Sequence, residues 1–141
     1  MPIRENLEQV RQQIADTCRR ISRSEADVAL MAVSKTHPVE RIAEAYAAGQ
    51  RLFGENRVQE FEAKAAALTA LLPDGDAVFH LIGPLQSNKT AKAAAIFDAV
   101  DTVDSVRIAQ RLNDAAAKLG KVLPVLIEIK TSHEETKSGV Q

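Results

Sequence analysis

The chain has 141 residues, enough for one domain with a hydrophobic core. Apolar residues make up 45% and charged residues 26%, the balance of an ordinary globular protein. A net charge of −1 with 4% aromatics argues against a nucleic-acid footprint or a base-stacking platform, a single cysteine excludes an internal disulfide framework, and no run approaches the ~20 apolar residues of a membrane helix.

Ile3, Leu7, Val10, Ile14, Cys18 and Ile21 recur every three or four residues and predict an N-terminal amphipathic helix. Arg19, Arg20 and Arg23 lie near its end, where cations suit the helix dipole. The opening MPIRENLEQVRQQI has no apolar h-region, so no secretory signal is read, and the lone Cys18 suits a reducing, cytoplasmic setting. Residues 28–33 form a continuous apolar run, expected of a strand covered on both faces. Pro38 starts a helix whose face is Ile42, Ala45 and Tyr46 and whose stop is Gly49. Leu52-Phe53 is a short strand ended by Gly54. Asn56, with Gln59 three residues on, reads as the cap of a helix carrying Val58, Phe61, Ala65, Leu68 and Leu72.

The turn Pro73-Asp74-Gly75-Asp76 leads to a third strand, Ala77 to Ile82. Ser87 or Asn88 opens another helix, and residues 97–101 read as a fourth strand. Asp104 is the expected cap of a helix with Ile108, Leu112, Ala115 and Leu119 on its face, followed by Gly120. Val122 to Ile129 is the fifth strand, interrupted early by Pro124. Strict alternation of strand and helix implies an α/β fold with a parallel sheet and right-handed crossovers. Two architectures fit, an open doubly wound sheet or a stretch of (β/α)8 barrel, and both place chemistry at the C-terminal ends of the strands.

Those ends carry polar clusters: Ser34-Lys35-Thr36, Gly54-Glu55-Asn56, then Gly83 to Lys89 after a strand containing His80, then Lys130 to His133 running on to Thr136-Lys137-Ser138-Gly139. In a parallel sheet they share one rim. Alternation puts Lys35 on a face with Ala29, Met31 and Val33. A lysine desolvated there favours the neutral amine, which attacks aldehydes to form a Schiff base. Each residue also has a plainer reading. Lys35 can snorkel from a strand tip, Asn56 can serve only as a helix cap, and His80 can be a hydrogen-bonded core histidine. Lys89 and Lys137 can be solvated lysines, and Gly83-Pro84 an ordinary turn. His37, His80 and His133 are scattered, and no Cys/His pair has zinc-like spacing.

Taken in order, AVSKTHPVE, FGENRVQE, HLIGPLQSNK, VDTVDSVRIAQRLN and VLIEIKTSHEETKSGV resemble consecutive signatures of the YggS/PROSC-type pyridoxal phosphate homeostasis proteins, from the N-terminal helix to Gln141. The resemblance implies an alanine-racemase-like (β/α)8 barrel preceded by a helix. It implies pyridoxal 5′-phosphate (PLP) held as an internal aldimine on Lys35, with Asn56, His80, Gly83, Gln86 and Lys137 at cofactor-binding positions. Leu81 replaces the usual phenylalanine of the third signature, and Thr136 opens a TKSG in place of SKSG.

The implied role is cytoplasmic vitamin B6 homeostasis without established turnover, with PLP and PLP-dependent apo-enzymes as partners and neither nucleic acid nor membrane. The alternatives are an amino-acid racemase-like enzyme, which needs a second acid/base on the opposite cofactor face, and a cofactor-free α/β fragment. The expected organisation is a single partial domain over residues 1–141, about five strands of an incomplete barrel. Barrels of this type run to ~250 residues and place phosphate sites after strands seven and eight. The chain is therefore expected to be C-terminally truncated, with the later phosphate-binding segments absent, and to self-associate through open edges at strands one and five.

Overall fold

The computed structural model describes residues 2–141. Helix α1 (Ile3–Arg20) precedes a regular alternation: β1 (Ala32–Val33), α2 (Val39–Ala47), β2 (Leu52–Glu55), α3 (Val58–Leu71), β3 (Val78–Leu81), α4 (Thr90–Ile96), β4 (Ala99–Val103), α5 (Val106–Lys118) and β5 (Val125–Ile127). A short 3₁₀ turn, Ser87–Lys89, leads into α4. All strand pairs are parallel and the sheet order is β1-β2-β3-β4-β5. That order decides between the two architectures. A doubly wound sheet reverses direction at a switch point, whereas here each strand adds beside its predecessor, as barrel staves do. The sheet is not closed, and β1 and β5 are its edges.

The helices cover one face of the sheet. All four phenylalanines meet there: Phe53 of β2 stacks on Phe79 of β3 at 5.2 Å, and Phe61 of α3 lies 4.7 Å from both Phe79 and Phe97. Offset and tilted contacts at such distances suit aromatic quadrupoles. The expected stripes of α2 (Ile42, Ala45, Tyr46) and α3 (Val58, Phe61, Leu68) are buried. Gly49, at φ +91°, ends α2, with Gln50 N–H donating to Ala45 O at 3.0 Å, a left-handed stop that a Cβ would strain. On α5 the buried stripe runs Ile108, Leu112, Ala116, while Leu119 is exposed beyond the last turn.

Several expected boundaries move. The apolar run 28–33 yields only two residues of strand. Its partner β2 begins at Leu52, and upstream of it the Gln50 side-chain amide donates to both Leu30 O (2.6 Å) and Leu52 O (2.7 Å) in place of a ladder. Nor is that run covered on both faces, because Ala29 is exposed and Val33 half exposed. The strand expected at 97–101 lies at Ala99–Val103, since Phe97 ends α4. The long fifth strand shrinks to Val125–Ile127, every residue of it exposed. Ser105, not Asp104, caps α5, its hydroxyl accepting the Ile108 N–H at 3.2 Å. Arg57 stands at the N-cap of α3 without a side-chain bond, so Asn56 is not the cap.

Among the described residues no helix is long and apolar enough to cross a membrane.

Candidate functional site

The face of the sheet away from the helices carries an exposed Val33 at its edge and a mostly buried His80 further in. Val33, Gly54, His80 and Ala99 are successive register partners across β1 to β4, so they share a face. Gly54 keeps that row low: a Cβ there would meet Met31 Sδ at 2.7 Å and Ile82 Cδ1 at 2.9 Å. His80 Nδ1 lies 3.1 Å from Asp101 Oδ2, both side chains mostly buried. His80 thus has a carboxylate partner that the sequence reading did not supply.

Lys35 stands directly after β1, in a turn closed by His37 N–H donating to Ser34 O at 3.2 Å. Its side chain is exposed, and its amine takes part in none of the ion pairs among the described residues. The desolvation expected of it is not supplied by these five strands, because its side chain is exposed in the turn beyond β1. Thr36, next to it, has φ +62°. A β-branched residue rarely adopts that conformation, at a cost of about 1–3 kcal/mol, so neighbouring groups must hold it.

Those groups are a buried polar cluster. Glu55, fully buried at the end of β2, accepts the Ser34 hydroxyl at 2.8 Å and the Lys64 ammonium at 3.1 Å. Lys64, on α3, also donates to Ser34 O at 3.2 Å and to Glu60 Oε1 at 2.8 Å. Glu60 Oε1 in turn accepts the Thr36 N–H. The sequence reading missed Glu60 and Lys64 and named Glu55 only within a polar strand end; the one local signal was the i,i+4 pairing of Glu60 with Lys64 on a helix.

The Lys64 ammonium, and after it the Thr36 amide, holds the Glu60 carboxyl below its ordinary value of 4.5. A carboxyl lowered in the folded state contributes stability that is full above the ordinary range and lost as pH falls through the lowered value. The stability gap between the unsubstituted chain and Glu60→Gln is therefore expected to narrow on acidification below about 4.5. Thermal melts across that range check it, and a gap undiminished in acid contradicts it.

Asn56 and Gln86 come together. With Arg57, Gln59, Pro84 and Lys89 they line a cleft of about 420 Å³ at the C-terminal ends of β2 and β3. Gly83 belongs to the same rim for a steric reason, since a Cβ on it would fall 1.9 Å from Asn56 O. Lys137 is not brought to this group. It lies on the loop beyond β5, on the opposite edge of the sheet from Lys35, 3.5 Å from Glu134. It lines a separate cavity of about 350 Å³ with Glu128, Lys130 and Ser132. That loop returns to the sheet at Val140, whose backbone exchanges hydrogen bonds with Glu128 and Lys130.

Residues 4–141 match the family model described as "Alanine racemase, N-terminal domain". The chain belongs to the alanine racemase N-terminal domain family. The chain is 48% identical over 138 residues to a protein of Vibrio alginolyticus named pyridoxal phosphate homeostasis protein, matching 98% of this chain and 59% of that one. Among solved structures it is similar to PipY of Synechococcus elongatus PCC7942 with PLP bound, at 42% identity and TM-score 0.79, over 99% of this chain and 58% of that one. It is also similar to an unknown protein from Bifidobacterium adolescentis, at 35% identity and TM-score 0.90, over 99% and 59% of the two chains. The chain thus spans about three fifths of the length of these relatives.

Proposed function

We propose that this chain forms the lysine-bearing part of a PLP-binding barrel serving vitamin B6 homeostasis in the cytoplasm. The observation that carries the proposal is the Lys35 amine, exposed directly after the C-terminal end of β1. The rim position suits it, because barrel enzymes collect their chemistry at the C-terminal ends of the strands. The names of the relatives support the ligand: one is called a pyridoxal phosphate homeostasis protein and another holds PLP.

When bound, PLP would supply an aldehyde carbon, and the Lys35 amine would be the group to condense with it as a Schiff base, with release of one water. Everything else falls to the chain. The turn Ser34–His37 presents the amine, His80 with Asp101 lies on the sheet face away from the helices, and Asn56, Gly83 and Gln86 shape the adjoining rim. Lys137, across the sheet, is proposed as a further binding position. Phosphate sites of such barrels follow strands seven and eight, and the sheet here has five strands. Lys35 and its neighbours would hold the aldehyde end of the ligand. The proposed role is to hold and pass on PLP, with apo-enzymes that need it as recipients, and not to turn over a substrate.

The test is incubation with PLP, borohydride reduction and peptide mass spectrometry. The expected result is a reduced adduct on Lys35, with the visible absorbance of the Schiff base lost in Lys35→Ala. An adduct confined to other lysines would overturn the proposal.

A further inference from the structure

The cluster behind Lys35 has a use beyond binding two secondary elements together. The three protons of the Lys64 ammonium find three kinds of acceptor, the Glu55 carboxylate, the Glu60 carboxylate and Ser34 O. Glu60 passes the contact on to the Thr36 amide, and Glu55 to the Ser34 hydroxyl. Lys35 is therefore flanked on both sides by residues fastened to β2 and α3, while its own side chain stays outside the cluster. The fastening on the C-terminal side acts on Thr36, whose φ of +62° belongs at the third position of a turn normally filled by glycine. Strain held next to a reactive group points to a functional constraint.

We propose that Glu60 is a positioning residue for Lys35: held by Lys64, its carboxylate locks the Thr36 amide and so fixes the turn that presents the Lys35 amine to an aldehyde ligand. The inference rests on the proposed role of Lys35, but its first readout needs no ligand. Glu60 is the right residue to change because Lys64 keeps Glu55 and Ser34 O when Glu60 is removed, so the variant is expected to fold.

Glu60→Ala deletes the acceptor, and Glu60→Gln keeps an oxygen where the carboxylate was. A charge-assisted hydrogen bond shifts an equilibrium by about tenfold or more. Hydrogen exchange of the Thr36 amide is thus expected to quicken about tenfold in Glu60→Ala and to be largely restored in Glu60→Gln. The amides of Phe79 and Val100 in the sheet centre keep their protection. With PLP as probe, Schiff-base formation at Lys35, fixed by borohydride, is expected to slow about tenfold in Glu60→Ala and to recover in Glu60→Gln. Unchanged Thr36 exchange overturns the proposal, as does a protection loss spread equally over Phe79 and Val100. Faster Thr36 exchange with an unaltered Lys35 rate also overturns it. Failure of the unsubstituted chain to form any Lys35 adduct sinks the functional reading instead, and the exchange data still decide whether Glu60 locks the turn.

Discussion

Replacing Gly83 by alanine is expected to destabilise the chain by about 3 kcal/mol or more, the upper range for forcing extra volume into a packed site. An added Cβ would fall 1.9 Å from Asn56 O and 2.8 Å from Asn56 C, inside any allowed contact. These atoms are backbone, so no side-chain rotation relieves the overlap. Gly83 cannot retreat either, because its carbonyl accepts the buried Thr102 hydroxyl at 2.7 Å from the next strand. Its φ is not in the positive region, so contact alone makes glycine necessary. Gly54→Ala is the control. Its Cβ would meet Met31 Sδ and Ile82 Cδ1, both ends of flexible side chains, and it is expected to cost about 1 kcal/mol. Urea unfolding of the two variants tests the argument, and equal losses would contradict it. In Gly83→Ala the Asn56 side of the 420 Å³ cleft moves as well, so a rim function is expected to fail along with stability.

The sequence made most of this architecture readable, for reasons that also explain the failures. Helices α2 and α3 bury the residues their periodicity marks because a helix repeats its face whatever it packs on. Strand lengths failed at the edges. A run such as Val28 to Val33 shows that the chain is extended, but where the ladder starts depends on where β2 begins, and Gln50 fixes that point. Caps failed by a single residue, at Asp104-Ser105 and at Asn56-Arg57, where either neighbour can take the extended conformation. The rim was legible as a set of polar strand ends, and Asn56 and Gln86 do line one cleft. Gly83 read as an ordinary turn residue because a close approach between two loops leaves no trace in either loop alone. The partners of Ser34 and Thr36 were illegible for the same reason: Glu55 sits on a strand, Lys64 nine residues later on a helix, and only the β2–α3 crossover brings their charges to the end of β1.

Removing the ammonium at that junction is expected to have the second large effect. Lys64→Met keeps an unbranched apolar stem, one atom shorter, but leaves Glu55, fully buried, with only the Ser34 hydroxyl as partner. Breaking a buried pair in this way costs about 3–5 kcal/mol, because the remaining carboxylate is neither hydrated nor neutralised. The loss belongs to the stranded charge, not to the pair, and a second substitution shows this. Glu55→Gln in the Lys64→Met background removes the charge while its amide oxygen still accepts the Ser34 hydroxyl. The double variant is expected to regain about 2 kcal/mol of the single variant's loss. Urea unfolding of the four species closes the cycle. If Glu55→Gln further weakens the Lys64→Met chain, the buried charge is not the source of the cost, and the contacts of the Lys64 ammonium with Ser34 O and Glu60 must carry it instead.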